Sequence, residues 1–344
     1  MTLFGNKLDK VIRDAQDGQT MGIPIGPDTS FIIAEVVLAA CDEVLVHRVP
    51  NLTGLRWLDE WELPTQDRGE AEDVLATLQQ VLLEYELRLN PRKISLSDLP
   101  VQFDPDWIGE LRAFQFRTSA VGQANDLTRY FDLITDYLKR NPDQHIVKYG
   151  LGRIRTLAPH ASNVGLFQAL ILQAATSEPS AIKEAIQAIY HSETNHGLTV
   201  DLQLLELTIN RIVAVCARVG YHYELSWCLW AAINWGLNID VRVAAEISAI
   251  DNSIVAILAL DADQLGLFGG HLNPAVWQAR MDQRELHEQE WLLAYEASVQ
   301  GWLPSIGGVD HVAADAAFRL LKSANVRFYH RSAGPFTPGA LAYP

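Results

Sequence analysis

Two neighbouring carboxylates between tryptophans are the residues of this sequence best suited to chemistry. The stretch runs Trp57-Leu58-Asp59-Glu60-Trp61. Carboxylate oxygens are the protein ligands that Mg²⁺ prefers, together with oxygens of substrate phosphates. Two such ions can hold the attacking and leaving oxygens of a phosphoryl transfer. Acidic residues are also common in turns for conformational reasons, so spacing alone favours an ordinary turn over a metal site.

A Gly/Pro-rich loop, GIPIGPDTS over residues 22–30, is a second stretch that could contact a substrate. Its glycines and prolines fix an irregular backbone whose N–H and C=O groups stay exposed beside a helix N-terminus. Such a backbone can approach a nucleotide or a base pair closely. The same composition also suits a purely structural junction between loop and helix. The candidate binding residues are Gly22, Ile23, Pro24, Ile25, Gly26 and Pro27.

Lys93, in the stretch LNPRKISL, is a third candidate. A lysine on a fixed turn can meet a phosphate as a point charge. A solvated surface position is the more common use of this residue type.

The elements that must position these residues form an α+β pattern over residues 1–103. Asp28 or Thr29 is predicted to cap a helix over about residues 30–43, because a short side-chain oxygen accepts an orphan backbone N–H. Two short strand-like pieces flank Asp59-Glu60 and predict a tight hairpin. An amphipathic helix follows, with acidic residues in its first turns. Two further short strands are predicted, over residues 86–89 and 93–96.

Residues 104–331 form a series of amphipathic segments and predict an all-α domain. Asn141-Pro142 and Asn273-Pro274 are predicted to begin helices, with Asn as the cap and Pro at the first position. Gly220 and Gly236 are predicted to end helices. Short helices with short breaks indicate stacked helical pairs, as in a solenoid, although the sequence shows no clean period. Residues 332–344 are rich in Gly and Pro and predict an irregular tail.

The composition excludes several classes of protein. The chain has 344 residues, is 49% hydrophobic and carries a net charge of −15, which argues against a surface that binds phosphates everywhere. Three scattered cysteines indicate a reducing compartment, and we expect a cytoplasmic protein. No apolar run of about 18 residues marks a membrane span, so no membrane partner is expected.

Taken in order, the loop GIPIGPDTS, the stretch RWLDEW, the amphipathic helix and the stretch LNPRK resemble the palm of reverse transcriptases. The resemblance covers roughly residues 3–97, and through the loop GIPIGPDTS it is strongest to the bacterial antiphage and abortive-infection class. The resemblance implies that residues 22–27 face the template and nucleotide and that Asp59 and Glu60 bind metal and catalyse. It also implies that Lys93, in a later palm element, is a third catalytic residue. It further implies Mg²⁺ or Mn²⁺ as cofactor, dNTPs as substrates, and an RNA or DNA template and primer.

Two departures from the family pattern change this expectation. Glu60 stands where a second Asp is usual, and its extra methylene shifts the carboxylate, so Asp59 is the firmer metal ligand. The family also has a fingers subdomain and an earlier palm strand with another catalytic Asp. Asp9, Asp14 and Asp17 lie instead in a predicted helix and loop. We therefore expect an N-terminally truncated member with impaired activity, which needs the missing portion or a partner chain.

The helical domain also agrees with the resemblance, because abortive-infection reverse transcriptases carry a helical-repeat-like C-terminal domain and commonly form oligomers. Some make DNA without a template, primed from a hydroxyl side chain of the protein. Candidates for that role are Tyr190, Tyr221, Tyr223 and Tyr329, each of which is more often a packing residue. Trp227, Trp230 and Trp235 could stack on bases, but Leu225, Leu229 and Ile233 on the same helix favour a core role.

The same sequence features also agree with a second class of function. The chain would then be a catalytically inactive helical oligomerisation or interaction protein, in which the palm remnant is structural.

Overall fold

The computed structural model describes residues 3–16, 18–100, 104–142 and 144–332. The chain is mostly helical, and it divides into two compact units, residues 1–103 and 104–344. The first unit contains α1 (Phe4–Asp14), α2 (Asp28–Arg48), β1 (Leu55–Trp57), β2 (Glu60–Glu62), α3 (Arg68–Glu84) and a 3₁₀ turn (Pro91–Lys93). Of the expected irregular tail at 332–344, all but Ser332 lies outside the described residues, as does Asp17.

The second unit is formed by helices. In chain order they are α4 (Asp106–Ala113), α5 (Ala120–Arg140), α6 (Ile146–Ile154), α7 (Val164–Ser177), α8 (Ile182–His196), α9 (Leu202–Val219), α10 (His222–Trp235), α11 (Val241–Ser248), α12 (Ser253–Gln264), α13 (Ala275–Gln278), α14 (Trp291–Gln300), α15 (His311–Ala314) and α16 (Ala316–Ser323).

The core of the first unit lies between α2 and α3. Cys41 and Leu45 of α2 pack against Leu78, Val81 and Leu82 of α3, all of them buried. The predicted amphipathic pattern of α3 is confirmed, because its buried side chains recur at helical spacing. Its N-terminus is capped by the side chain of Asp67, which accepts a hydrogen bond from the N–H of Glu70 at 2.9 Å.

The start of α2 differs from the prediction. The helix begins at Asp28, its N-cap residue is Pro27, and no side chain caps it. The predicted cap by Asp28 or Thr29 is therefore wrong. Pro27 already has an extended backbone (φ −64°, ψ 138°), and its carbonyl accepts the N–H of Ser30 at 2.9 Å. Asp28 instead occupies the first turn, where its charge favours the positive end of the helix dipole.

The two strands predicted after α3 are absent, because the chain there closes the helix. Glu86 has a left-handed backbone (φ 59°). Its N–H donates to the carbonyl of Leu83 at 3.1 Å, and the N–H of Leu87 donates to that of Leu82 at 2.9 Å. This pair of bonds is a Schellman motif. Residues 91–93 then form a 3₁₀ turn, so the hairpin is the whole sheet in the part of the chain that the structure describes.

The second unit stacks helical pairs in two layers. One layer contains α5, α7, α9, α11 and α13 in succession, and the other contains α6, α8, α10, α12 and α14. Across the layers α5 packs on α6, α7 on α8, α9 on α10 and α11 on α12. The helices α5, α7, α9 and α11 begin at residues 120, 164, 202 and 241, at spacings of 44, 38 and 39 residues. The expected repetition is therefore present in the structure, although the sequence has no clean period.

The predicted helix ends in this unit have mixed outcomes. Gly220 and Gly236 do end α9 and α10, with left-handed backbones (φ 79° and 66°). The assignment of Asn273 and Pro274 is shifted by one residue, because α13 begins at Ala275 with Pro274 as its N-cap, although Asn273 accepts the N–H of Ala275 at 3.2 Å. Asn141 is wrongly assigned, since it ends α5 and its N–H and side-chain amide both donate to the carbonyl of Tyr137.

Asp126 of α5 should titrate far below an ordinary aspartate. The guanidinium of Arg117 donates to it at 2.6 and 2.9 Å and the Arg117 backbone N–H at 2.8 Å, which lowers the pKa of Asp126 to about 2. The stabilisation is complete above the ordinary value of 3.8 and is lost as pH falls through about 2. Carbon-13 NMR titration of the carboxyl group should give this midpoint. A midpoint near 3.8 would contradict the contact, and Asp126→Asn should remove this part of the acid dependence of stability.

Candidate functional site

The acidic hairpin has a two-residue turn. In its antiparallel register Leu55 pairs with Glu62, Arg56 with Trp61, and Trp57 with Glu60. The turn therefore consists of Leu58 and Asp59, and Glu60 is the first residue of β2 instead of a turn residue. The predicted hairpin is confirmed, with this shift of one residue at its tip. Asp59 and Glu60 are both exposed.

The turn residue Leu58 has an unfavourable backbone conformation. Its φ is 53°, in the left-handed region where a Cβ approaches the following carbonyl. Such residues persist where the surrounding structure holds them, and they concentrate at functional sites. The strained residue directly precedes Asp59, so the position of that carboxylate depends on whatever holds Leu58.

Arg56 of β1 holds the turn against α2. Its guanidinium donates to Asp42 at 2.7 Å, to both oxygens of Glu35 at 2.6 and 2.9 Å, and to the carbonyl of Leu58 at 2.6 Å. Its side chain is only 9% exposed. Glu35 and Asp42 raise the pKa of Arg56, and Arg56 in turn lowers the pKa of Glu35. One side chain thus joins the strained turn to two points on α2.

Trp61 completes this contact from the opposite strand. Its indole N–H donates to Asp42 at 2.8 Å, and the guanidinium of Arg56 lies 6.0 Å from its ring centroid. Asp42 therefore accepts hydrogen bonds from both members of one cross-strand pair.

Sequence reasoning missed Arg56, Glu35 and Asp42. One signal was available, because Arg56 is the one basic residue of the stretch LTGLRWLDEWELPT. The two acids lie seven residues apart on α2, which places them on one face of the helix.

The loop 22–27 leads directly into the same helix. Gly22 and Gly26 have left-handed backbones (φ 75° and 116°), and no heavy atom lies within 4 Å of where a Cβ would stand. Glycine is therefore favoured there by backbone conformation and not by crowding. The side chain of Ile25 is fully exposed, and the carbonyl of Gly22 accepts a hydrogen bond from Gln16 at 3.0 Å. The loop and the hairpin are thus both connected to α2, one by the chain and one by Arg56.

Lys93 ends the 3₁₀ turn after α3 and is exposed. Among the described residues no contact joins it to Asp59 or Glu60. Its backbone N–H donates to the carbonyl of Asn90 at 3.0 Å, which fixes the turn but leaves the ammonium group in solvent.

The structure limits what metal site the hairpin can form. Within the described ranges, no group of three or more His, Cys, Asp or Glu side chains is placed to hold an ion. Arg56 pairs with Glu35 and Asp42 on α2, whereas Asp59 and Glu60 make no ion pair with any described residue. An ion here would take at most these two carboxylates and complete its shell with water or phosphate oxygens, as Mg²⁺ often does.

The candidate priming tyrosines differ in exposure. The phenol of Tyr329 donates to Asp261 at 2.7 Å, and burial raises its pKa. Tyr190 packs edge-on against Trp230 and Trp235. Tyr221 and Tyr223 are 52% and 50% exposed. These two are therefore the tyrosines of the four with the most accessible rings.

The comparisons with known proteins give no relative. No family model, no curated protein and no solved structure matches the chain. In the part of the chain that the structure describes, no helix has the length and apolar character needed to cross a membrane. A palm assignment therefore depends on the loop and hairpin motifs themselves.

Replacing Arg56 should loosen the hairpin from α2. We expect Arg56→Ala to lower the free energy of unfolding by about 1–3 kcal/mol, a range set by hydrogen bonds to charged groups and reduced by the exposure of Glu35. Urea denaturation measures the loss. The control is Arg68→Ala, which removes an exposed pair with Glu72 on α3 and should cost about 0.5 kcal/mol or less. Equal losses in the two variants would contradict an anchoring role for Arg56.

Proposed function

We propose that the first unit carries part of a reverse-transcriptase palm and that the protein belongs to the antiphage class of these enzymes. Its reaction would be nucleotidyl transfer that makes DNA, templated or template-independent. The observation that carries the proposal is the connection of loop, helix and hairpin. The Gly/Pro loop enters α2, and Arg56 binds the acidic hairpin to that helix through Glu35 and Asp42.

Each part of this arrangement has a role suited to its chemistry. Residues 22–27 offer an exposed backbone next to the positive end of α2, where a nucleotide phosphate or base is favourably contacted. Asp59 is the principal ligand for Mg²⁺ or Mn²⁺, and Glu60 is the secondary one. When bound, the ion supplies positive charge to the phosphates of the dNTP. Lys93 offers a further point charge in the loop after α3.

Two carboxylates are few for a two-metal reaction. Holding both ions normally takes carboxylates from more than one element. Glu35 and Asp42, the acids of α2 at the hairpin, already pair with Arg56, and Glu62 lies two residues beyond Glu60 on β2. The chain by itself should therefore bind a metal–nucleotide complex weakly, and it should polymerise little unless another polypeptide segment supplies a further carboxylate.

Calorimetry with a dNTP, with and without Mg²⁺ or Mn²⁺, tests this proposal. We expect weak binding that depends on the metal and is lost in Asp59→Ala, because that carboxylate is the main ligand. The matched control is Glu62→Ala, since Glu62 is an exposed carboxylate two residues beyond Glu60 on β2. It should bind as the unchanged chain does. Metal-independent binding, or equal binding by both variants, would contradict the proposed site.

Primer extension with the same variants separates binding from chemistry. Little incorporation is expected from the unchanged chain. Strong incorporation that disappears in Asp59→Ala and persists in Glu62→Ala would support the polymerase and overturn the claim that the chain lacks carboxylates.

A second candidate function is that of a helical interaction or oligomerisation protein. The two-layer stack of the second unit favours it, because stacked helical pairs expose long surfaces on which partners bind. Light scattering gives the oligomeric state of the chain. A stable oligomer without metal-dependent nucleotide binding would favour this function over the polymerase.

A further inference from the structure

An aromatic groove lies between α10 and α12, in one layer of the second unit. Its volume is about 430 Å³, and its apolar wall comprises Tyr223, Trp227 and Trp230 of α10 with Ile254 and Leu258 of α12. Tyr223 and Ile254 are 50% and 48% exposed, so the groove is open to solvent. We call this feature the α10–α12 groove.

The groove wall combines aromatic rings with unused hydrogen-bond donors. Tyr223 and Trp227 lie 6.4 Å apart and Trp227 and Trp230 6.1 Å apart, in edge-to-face contacts. The indole N–H groups of Trp227 and Trp230 donate to no acceptor among the described residues. The opposite face of α10 is buried through Leu225 and Leu229. The aromatic face of α10 is therefore partly free to contact another chain segment.

The chemistry of the wall selects the kind of occupant. No Asp, Glu, Lys or Arg lines the groove, and the nearest cation given for its wall is Lys183, 6.0 Å from the ring centroid of Trp227. Grooves that follow a phosphate backbone instead carry several positive charges. Aromatic grooves with indole donors suit extended, proline-containing peptides. The rings pack on the proline ridges, and the N–H groups donate to the exposed carbonyls. An uncharged peptide therefore matches the groove better than a nucleic acid does.

The chain itself contains such a peptide directly after its last described residue. Residues 333–344, AGPFTPGALAYP, hold three prolines and no charged side chain, and they lie outside the described residues. Just before them, Tyr329 and Arg331 both bind Asp261 of α12, the phenol at 2.7 Å and the guanidinium Nε at 2.9 Å. The described residues that precede the segment therefore lie beside α12.

The distances along α12 allow the segment to reach the groove. Asp261 lies three residues after Leu258 and seven after Ile254, on the same face of the helix. At 1.5 Å per residue, Ile254 is about 10 Å along the axis from Asp261. Twelve residues in an extended proline-type conformation span about 37 Å.

We propose that the α10–α12 groove binds residues 333–344 of the same chain as an extended, proline-containing peptide. The contact is independent of any palm activity in the first unit.

Truncation after Ser332 and a synthetic peptide of residues 333–344 test the proposal. Binding is followed by tryptophan fluorescence and by calorimetry. We expect the peptide to bind the truncated chain and not the full chain, whose groove is already occupied. Equal binding to both chains would overturn occupancy by the same chain, and no binding to the truncated chain would overturn the site.

Matched tyrosine variants locate the binding. In the truncated chain, Tyr223→Ala should weaken peptide binding about tenfold or more, as truncation of an aromatic anchor does. Tyr221→Ala should not, because Tyr221 is equally exposed but does not line the groove. Both positions are exposed, so both variants should fold, as circular dichroism can verify. Equal effects would contradict the assignment.

An oligothymidylate probe tests whether the groove binds single-stranded nucleic acid instead of the peptide. It should neither bind the truncated chain in a Tyr223-dependent way nor displace the peptide. If the oligonucleotide binds in a Tyr223-dependent way or displaces the peptide, the groove is a platform for stacking bases and the peptide assignment is wrong.

Discussion

The contact of Arg56 with α2 is the interaction on which the candidate site depends. The guanidinium of Arg56 donates hydrogen bonds to Asp42, to Glu35 and to the carbonyl of Leu58. A lysine could not make this set of contacts. An ammonium group is a single point with three donors, whereas the planar guanidinium directs five donors toward separate acceptors. The bond to Leu58 matters most for geometry, because that residue has a left-handed backbone. The left-handed conformation of Leu58 costs about 1–2 kcal/mol. Arg56 holds it through the Leu58 carbonyl and also fixes β1 to α2.

The same contact divides the acidic residues of the first unit into two groups. Glu35 and Asp42 are committed to Arg56, which compensates their charges and makes them structural. Asp59 and Glu60 remain exposed at the tip without an ion pair to any described residue. The hairpin thus has its anchoring carboxylates on α2 and its free carboxylates on the turn and at the start of β2. This separation leaves Asp59 and Glu60 unpaired, among the described residues, for the metal site that we propose, and two carboxylates alone would hold an ion incompletely.

Local patterns predicted much of this fold, and what was missed falls into two kinds, the ends of helices and contacts between distant residues. The hairpin followed from short apolar pieces around an acidic pair, and α3 followed from its periodicity. The two extra strands were wrong because Glu86 has a positive φ and closes α3, which a run of alternating residues does not reveal. The contacts of Arg56 span 14 and 21 residues, so no local pattern indicates them. Asp59 could be proposed as a ligand from its neighbours, but its surroundings required the structure.

The tryptophans of α10 show why one sequence pattern supported two predictions. Leu225, Leu229 and Ile233 are buried, so the helix does belong to the core. Trp227, Trp230 and Trp235 lie partly exposed at its other side, where α8 and α12 flank it in the same layer. A helix inside a two-layer stack is covered by the opposite layer and by its neighbours, but its outward face stays open. Large aromatic side chains can therefore contribute apolar area to the core with one edge and present the other to a ligand. Core packing and the ligand binding that we propose would therefore use different sides of this helix.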